Sequence, residues 1–194
     1  MFRDDLLRGK RILVTGGGTG LGKVMAAEYA RLGAEVIICG RRQSVLDETA
    51  AELAKSSGGT VLPVACNIRD AAAVDAMVEG IWNERGPLTG LVNNAAGNFI
   101  SRTKDLTPGG FQAIANTVFF GTFYVTHAVG RRWIDQGLRG NIISILVTWT
   151  RTGSAFVVPS AMSKAGIDAM TKSLAVEWGP HGIRLNAIAP GPFP

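Results

Sequence analysis

Short apolar, β-branched runs alternate along the chain with segments of helical spacing, and a glycine-rich turn joins the first run to the first helical segment. This alternation points to an α/β fold, a doubly wound parallel sheet with helices on both faces and right-handed crossovers. The runs are Arg11 to Thr15, Glu35 to Cys39, Val61 to Ala65, Gly90 to Asn93, Asn141 to Leu146 and Arg184 to Ile188. Helices are expected at Leu21 to Leu32, Ser44 to Ser56, Ala71 to Arg85, Pro108 to Gln136 and Ser160 to Gly179. Gly33, Gly58, Gly86, Gly137 and Gly179 are their stop signals. Such sheets bind ligands at the carboxyl ends of their strands, and the glycine turn lies at one of them.

With 194 residues, 46% of them hydrophobic, the chain reads as one domain over 1–194 with no linker, repeat or low-complexity tract. Met1-Phe2-Arg3-Asp4-Asp5 is charged and lacks a signal-peptide core, and no apolar stretch is of membrane length. A soluble, cytoplasmic protein without a membrane partner is expected. Cys39 and Cys66 each end an apolar run, which fits reduced, partly buried thiols better than a disulfide framework. His127 and His181 are far apart and ungrouped, so no metal site is expected. The net charge of +5 is scattered along the chain, which disfavours a nucleic-acid partner. A locally basic cleft would still suit a small polyanion such as a phosphorylated dinucleotide or a coenzyme A ester.

The fourth helical segment carries Phe111, Ile114, Val118, Phe119, Phe120, Phe123 and Tyr124, more aromatic surface than one helix face needs to cover a sheet. Core packing accounts for most of these, and a homo-oligomer interface is expected for the excess.

The turn Thr15-Gly16-Gly17-Gly18-Thr19-Gly20-Leu21-Gly22 follows Ile12-Leu13-Val14 and opens into Val24-Met25-Ala26-Ala27. Glycine lets the backbone bend sharply and approach a ligand, while free N–H groups and the helix dipole face negative charge. The strand before and the helix after favour a pyrophosphate site over an ordinary βα turn.

Three further motifs accompany it: Asn93-Asn94-Ala95-Ala96-Gly97 after the fourth strand, Lys164 early in the fifth helix, and Pro190-Gly191 after the sixth strand. Their order and spacing resemble the short-chain dehydrogenase/reductase family along essentially the whole chain. That resemblance implies a Rossmann-like three-layer α/β/α domain. Asn93 to Phe99, Gly153 to Ser160 and Ser173 to Gly179 look like the 2,4-dienoyl-CoA reductase branch, which reduces dienoyl-CoA thioesters with NADPH. By this resemblance Gly16, Thr19, Gly20, Leu21 and Gly22 surround the pyrophosphate, and Asn67 and Ile68 lie near the adenine. Asn94 and Ala95 lie beside the ribose, Lys164 holds the nicotinamide ribose, and Pro190 and Gly191 adjoin the nicotinamide. After Cys39-Gly40, Arg41 and Arg42 stand where no carboxylate is available for a ribose 2′-hydroxyl, so NADP(H) is expected over NAD(H).

The catalytic half departs from the family. Ser160 occupies the place of the tyrosine four residues before Lys164, the family serine falls on Val147, and the helix asparagine falls near Val118. An alcohol of ordinary pKa cannot replace a phenol as general acid or base without an activator. The dienoyl-CoA reductases also carry serine there and place their tyrosine and an asparagine elsewhere. The matching positions here are Trp149 and Phe120. Their reaction needs chiefly a donor to the thioester oxygen, which Trp149 N–H or the Ser160 hydroxyl supplies, with Lys164 assisting and Thr148 and Thr150 nearby. The alternative for Trp149 is a hydrophobic wall. Family members continue beyond the equivalent of Pro192-Phe193-Pro194 with a substrate-covering helical segment and a seventh strand, so an incomplete C-terminal end is expected. The expected function is an NADP-dependent reductase of a small-molecule carbonyl, with a coenzyme A thioester one candidate. An alcohol or ketone dehydrogenase and a non-catalytic dinucleotide-binding protein are the alternatives.

Overall fold

The chain enters its sheet in the middle. β1 (Arg11–Thr15) leads through the glycine turn into α1 (Gly20–Arg31), followed by β2 (Glu35–Gly40), α2 (Gln43–Ser57), β3 (Val61–Ala65) and α3 (Ala71–Arg85). It then crosses to β4 (Gly90–Asn93), α4 (Pro108–Ala115), a π-helical turn (Asn116–Phe120) and α5 (Gly121–Asp135). β5 (Gly140–Ile145), α6 (Trp149–Thr152), α7 (Val158–Trp178) and β6 (Ile183–Ile188) complete it. Every pairing is parallel, in the order β3-β2-β1-β4-β5-β6. This computed structural model describes residues 2–191; Met1 and Pro192–Pro194, named above, lie outside the described residues. Among the described residues no helix is long and apolar enough to cross a membrane.

Period-two alternation of the strands builds a core on each face. Leu13 pairs in register with Ile37 and Leu91, and all three pack with Val78 of α3 and Val125 and Val129 of α5. One residue on, Val14 pairs with Ile38 and Val92, and these pack with Ala26 and Ala30 of α1 and Leu46 and Leu53 of α2. Each such Val, Leu or Ile side chain contributes about 1.5–3 kcal/mol when buried. Trp133 is fully buried, and its indole N–H donates to Leu88 O at 2.7 Å. Asp70 starts α3 by accepting from Ala72 N at 2.9 Å and Ala73 N at 3.1 Å.

The strands match expectation to within a residue, and the helix ends to within two. The helix expected as one piece from Pro108 to Gln136 is instead two α-helices joined by the π turn. The wider turn keeps Val118 fully buried while Gly121 comes against Ile68, where an added Cβ would lie 2.8 Å from the isoleucine side chain. Apolar spacing carries no mark of one inserted residue. Of the aromatic stripe, Ile114 and Val118 enter the core. Phe119, Phe120 and Phe123 stay exposed, with edge contacts of Phe119 to Phe120 and of Phe123 to Tyr124. The core thus takes less of this stripe than composition suggests.

Candidate functional site

The strand order reverses between β1 and β4, so chain leaving their carboxyl ends diverges and opens a crevice. The glycine turn fills its floor. Gly16 has φ +65°, its N–H donates to Cys39 O at 2.8 Å, and a Cβ there would meet Ala95 Cα at 2.9 Å. Gly22 is tighter still, since a Cβ would lie 2.3 Å from Gly16 O and 2.5 Å from Asn94 Nδ2. Thr19 precedes α1 without a side-chain cap, and the first-turn N–H groups of a helix have no intrahelical acceptor. The turn therefore presents unsatisfied donors at a positive helix end.

Asn94 locks this floor to β4. Its amide donates to Thr15 O at 3.0 Å and Gly16 O at 3.3 Å, while Asn94 N and Ala95 N each donate to Thr15 Oγ1 at 3.0 Å. Two cavities meet at Asn94 and Ala96. The first, of about 290 Å³, is walled by Gly16, Thr19, Arg41, Arg42, Asn67, Ile68 and Ala95 among others. The second, of about 320 Å³, is walled by Leu21, Ile145 to Trp149, Lys164, Pro190 and Gly191. A groove with a phosphate-type turn between two cavities can take an elongated ligand with phosphates at its centre. Gly20 and Gly22 line neither cavity: Gly20 opens α1 at φ +53°, and Gly22 is packed beneath the turn.

Arg41 and Arg42 both line the first cavity, and neither has an ion-pair partner among the described residues. Arg69 and Thr117, which sequence reasoning missed, also line it. Arg69 Nη2 donates to Ala113 O at 3.1 Å, and its buried Nε has no partner. The available signal was its place two residues after Asn67, at a strand's carboxyl end. Thr117 gave none, because the π turn brings it there. Cys39 and Cys66 line the same cavity, and burial pushes their thiols up to about 12 and about 11, which keeps both protonated and unreactive.

Lys164 is 4% exposed on α7. Its Nζ donates to Ile145 O, and burial holds its ammonium down to about 8 from the ordinary value near 10.5. Trp149 lines the same cavity from the start of α6, a short helix that sequence reasoning missed. Thr150 Oγ1 closes that turn by donating to Val147 O at 2.9 Å. Trp149 Nε1 is buried without a partner among the described residues. Ser160 lies one turn before Lys164 and is equally buried, yet it is absent from the wall of either cavity. Phe120 also lies off both walls and stacks on Tyr124 with ring centroids 6.3 Å apart. The structure thus brings Trp149 and Lys164 to one cavity, without Ser160.

A family model described as short chain dehydrogenase matches residues 10–194. An uncharacterized oxidoreductase of Caenorhabditis elegans is 48% identical over 97% of this chain and 60% of its own length. A probable 2,4-dienoyl-CoA reductase 3 of the same organism is 45% identical over 100% of this chain and 63% of its own length. The chain therefore spans less than two thirds of either relative. A solved short chain dehydrogenase from Bacillus anthracis is 44% identical with a TM-score of 0.90, covering 94% of this chain and 76% of that one. A parallel sheet in this strand order, a family model matched by nearly the whole of this chain and relatives at such identity have one reading: the chain belongs to the short-chain dehydrogenase/reductase family.

Proposed function

We propose that this chain forms the cofactor-binding and reacting core of an NADP(H)-dependent oxidoreductase that reduces a conjugated acyl thioester of the 2,4-dienoyl-CoA kind. Similarity to a relative named for that activity supports the substrate class. The observation that carries the reading is Trp149 Nε1, a buried N–H with no acceptor on the wall of the cavity that holds Lys164. Such a donor costs about 1–3 kcal/mol while unpaired, and that cost is relieved when the indole turns its Nε1 into the cavity to meet an acyl oxygen.

The residues fit a dinucleotide. A Cβ at Gly16 or Gly22 would collide with Ala95, Asn94 or Gly16 O and break the packing that shapes the turn, and Arg69, with a buried unpartnered Nε among the described residues, lines the first cavity. Gly16, Thr19, Gly20, Leu21 and Gly22 would form or brace the pyrophosphate turn, and Asn67 and Ile68 would flank the adenine. Asn94 and Ala95 would adjoin a ribose, Lys164 would hold the other ribose, and Pro190 and Gly191 would meet the nicotinamide. Arg41 and Arg42, unpaired at the cavity, suit a 2′-phosphate, which favours NADP(H) over NAD(H). When bound, the reduced cofactor supplies a hydride. Trp149 donates to the acyl oxygen as negative charge grows there, Lys164 adds positive charge beside it, and water protonates the resulting dienolate. Ser160 is the second candidate donor, and its absence from the cavity wall ranks it behind Trp149.

Trp149→Phe is expected to lower NADPH-dependent turnover of a 2,4-dienoyl-CoA about 10²-fold with NADPH binding unchanged, and Ser160→Ala to lower it less. Unchanged turnover in both variants contradicts the assignment. A 3-ketoacyl-CoA and a simple ketone serve as comparison substrates. Tight NADPH binding with no turnover of any of them would favour a non-catalytic dinucleotide-binding protein, a reading that Val147 and the outward Phe120 keep open. The exposed Phe119, Phe120 and Phe123 support a homo-oligomer, which a monomeric mass in light scattering would contradict. A cytoplasmic setting completes the proposal; imaging of a tagged protein in peroxisomes, where some relatives are named, would contradict it.

A further inference from the structure

Three arginines line the first cavity, and among the described residues no carboxylate does. Arg41 and Arg42 follow β2, whereas Arg69 follows β3, so the cations come from two separate loops. Arg69, like the other two, has no ion-pair partner among the described residues. It is held in place by Ala113 O, which accepts from Arg69 Nη2 at 3.1 Å and from Thr117 Oγ1 at 3.2 Å. That acceptor is a neutral carbonyl, so the guanidinium charge in the wall stays unbalanced. Val45, Leu46 and Ile68 give the same cavity apolar surface for a flat base.

A phosphate monoester carries close to two negative charges near neutral pH, which two guanidinium groups balance. With Arg41 and Arg42 matched to one such group, as proposed above, the charge of Arg69 is surplus. A surplus cation attracts a ribose phosphate without reading which ribose oxygen bears it, and arginine side chains on flexible stems follow a phosphate moved by one carbon. Coenzyme A ends in nearly the same fragment as NADP(H): adenosine with a 5′-diphosphate and a ribose phosphate, on the 3′ instead of the 2′ oxygen. We infer that the first cavity and the glycine turn also take the 3′-phosphoadenosine diphosphate end of coenzyme A, so that coenzyme A and its thioesters compete with NADPH for the groove. The two cavities meet at Asn94 and Ala96, which gives the pantetheine arm a path out of the first cavity into the second. A thioester seated in this way excludes the cofactor and is unproductive. The inference rests on the dinucleotide reading proposed above.

The test is displacement of NADPH from the purified protein by coenzyme A and by 3′-dephospho-coenzyme A, followed through the cofactor's fluorescence. Coenzyme A is expected to displace NADPH completely, at a midpoint that rises in proportion to the NADPH present. Dephospho-coenzyme A, which lacks the ribose phosphate, is expected to bind at least about tenfold more weakly. Arg69→Gln is expected to weaken coenzyme A about tenfold, and Arg69→Lys, which keeps the charge and loses the planar fork, to keep most of the affinity. Bound NADPH that coenzyme A leaves in place overturns the inference, as does displacement by dephospho-coenzyme A at the same midpoint. Wild-type affinity in Arg69→Gln, or an equal loss in both variants, likewise overturns it. NADPH that binds without being displaced refutes this inference alone, whereas a wild-type protein that does not bind NADPH refutes the dinucleotide reading and the competition with it.

Discussion

Lys164 is the residue at which the proposed function opposes stability. Its ammonium is buried with a carbonyl for company and no carboxylate, so the folded state disfavours the charge. Below about pH 8 the lysine is charged in both states, and the full burial cost weighs on the fold. Between about 8 and 10.5 the unfolded chain holds a proton that the folded one has released, so stability rises with pH through that window. Lys164→Met is therefore expected to stabilise the protein at pH 7 by on the order of 2 kcal/mol in urea titrations. The gain should shrink above pH 8, and activity should be lost. A destabilised variant at pH 7 would contradict this account. At this scale the sequence showed what depends on local chemistry: Gly16, Asn94 and Lys164 act through backbone contacts that their own motifs specify. It did not show Ser160 leaving the cavity wall or Thr117 joining it, because each depends on how two distant elements pack.

Among the elements, the α4–α5 segment shows where periodicity stops informing. Strands emerged to within a residue because buried parallel strands are continuous apolar runs bounded by turn residues. A π turn inserts one residue into a helix without changing its composition, so only contacts such as Gly121 against Ile68 reveal it. α6 was hidden for a related reason, being four residues long with no buried stripe of its own. Further along α5, Gly130 sits against Trp178, and a Cβ there would lie 2.2 Å from the indole ring. Helix propensity alone would make Gly130→Ala stabilising by about 1 kcal/mol. Overpacking against a buried ring costs about 1–3 kcal/mol and wins, so a net loss of about 1 kcal/mol is expected in chemical denaturation. A gain in stability would show that Trp178 moves freely.

For the whole molecule, the reversal of strand order between β1 and β4 converts a repeated βα pattern into one crevice, and the glycine turn and Asn94 lie in it. The residues that line the first cavity were largely readable in advance because one crevice gathers residues from consecutive βα units. The wall of the second cavity was less so, since much of it comes from the segment after β5, whose apolar side chains carry no spacing signal. The central proposal is a cradle for NADP(H) beside an acid-base set that departs from the family. Affinities for NADPH and NADH, measured by fluorescence titration of the wild type and of Arg41→Ala, test it most directly. The expected result is NADPH bound at least about tenfold more tightly than NADH, with Arg41→Ala removing most of the difference. Equal or tighter binding of NADH, or an Arg41→Ala variant with the wild-type preference, would contradict it.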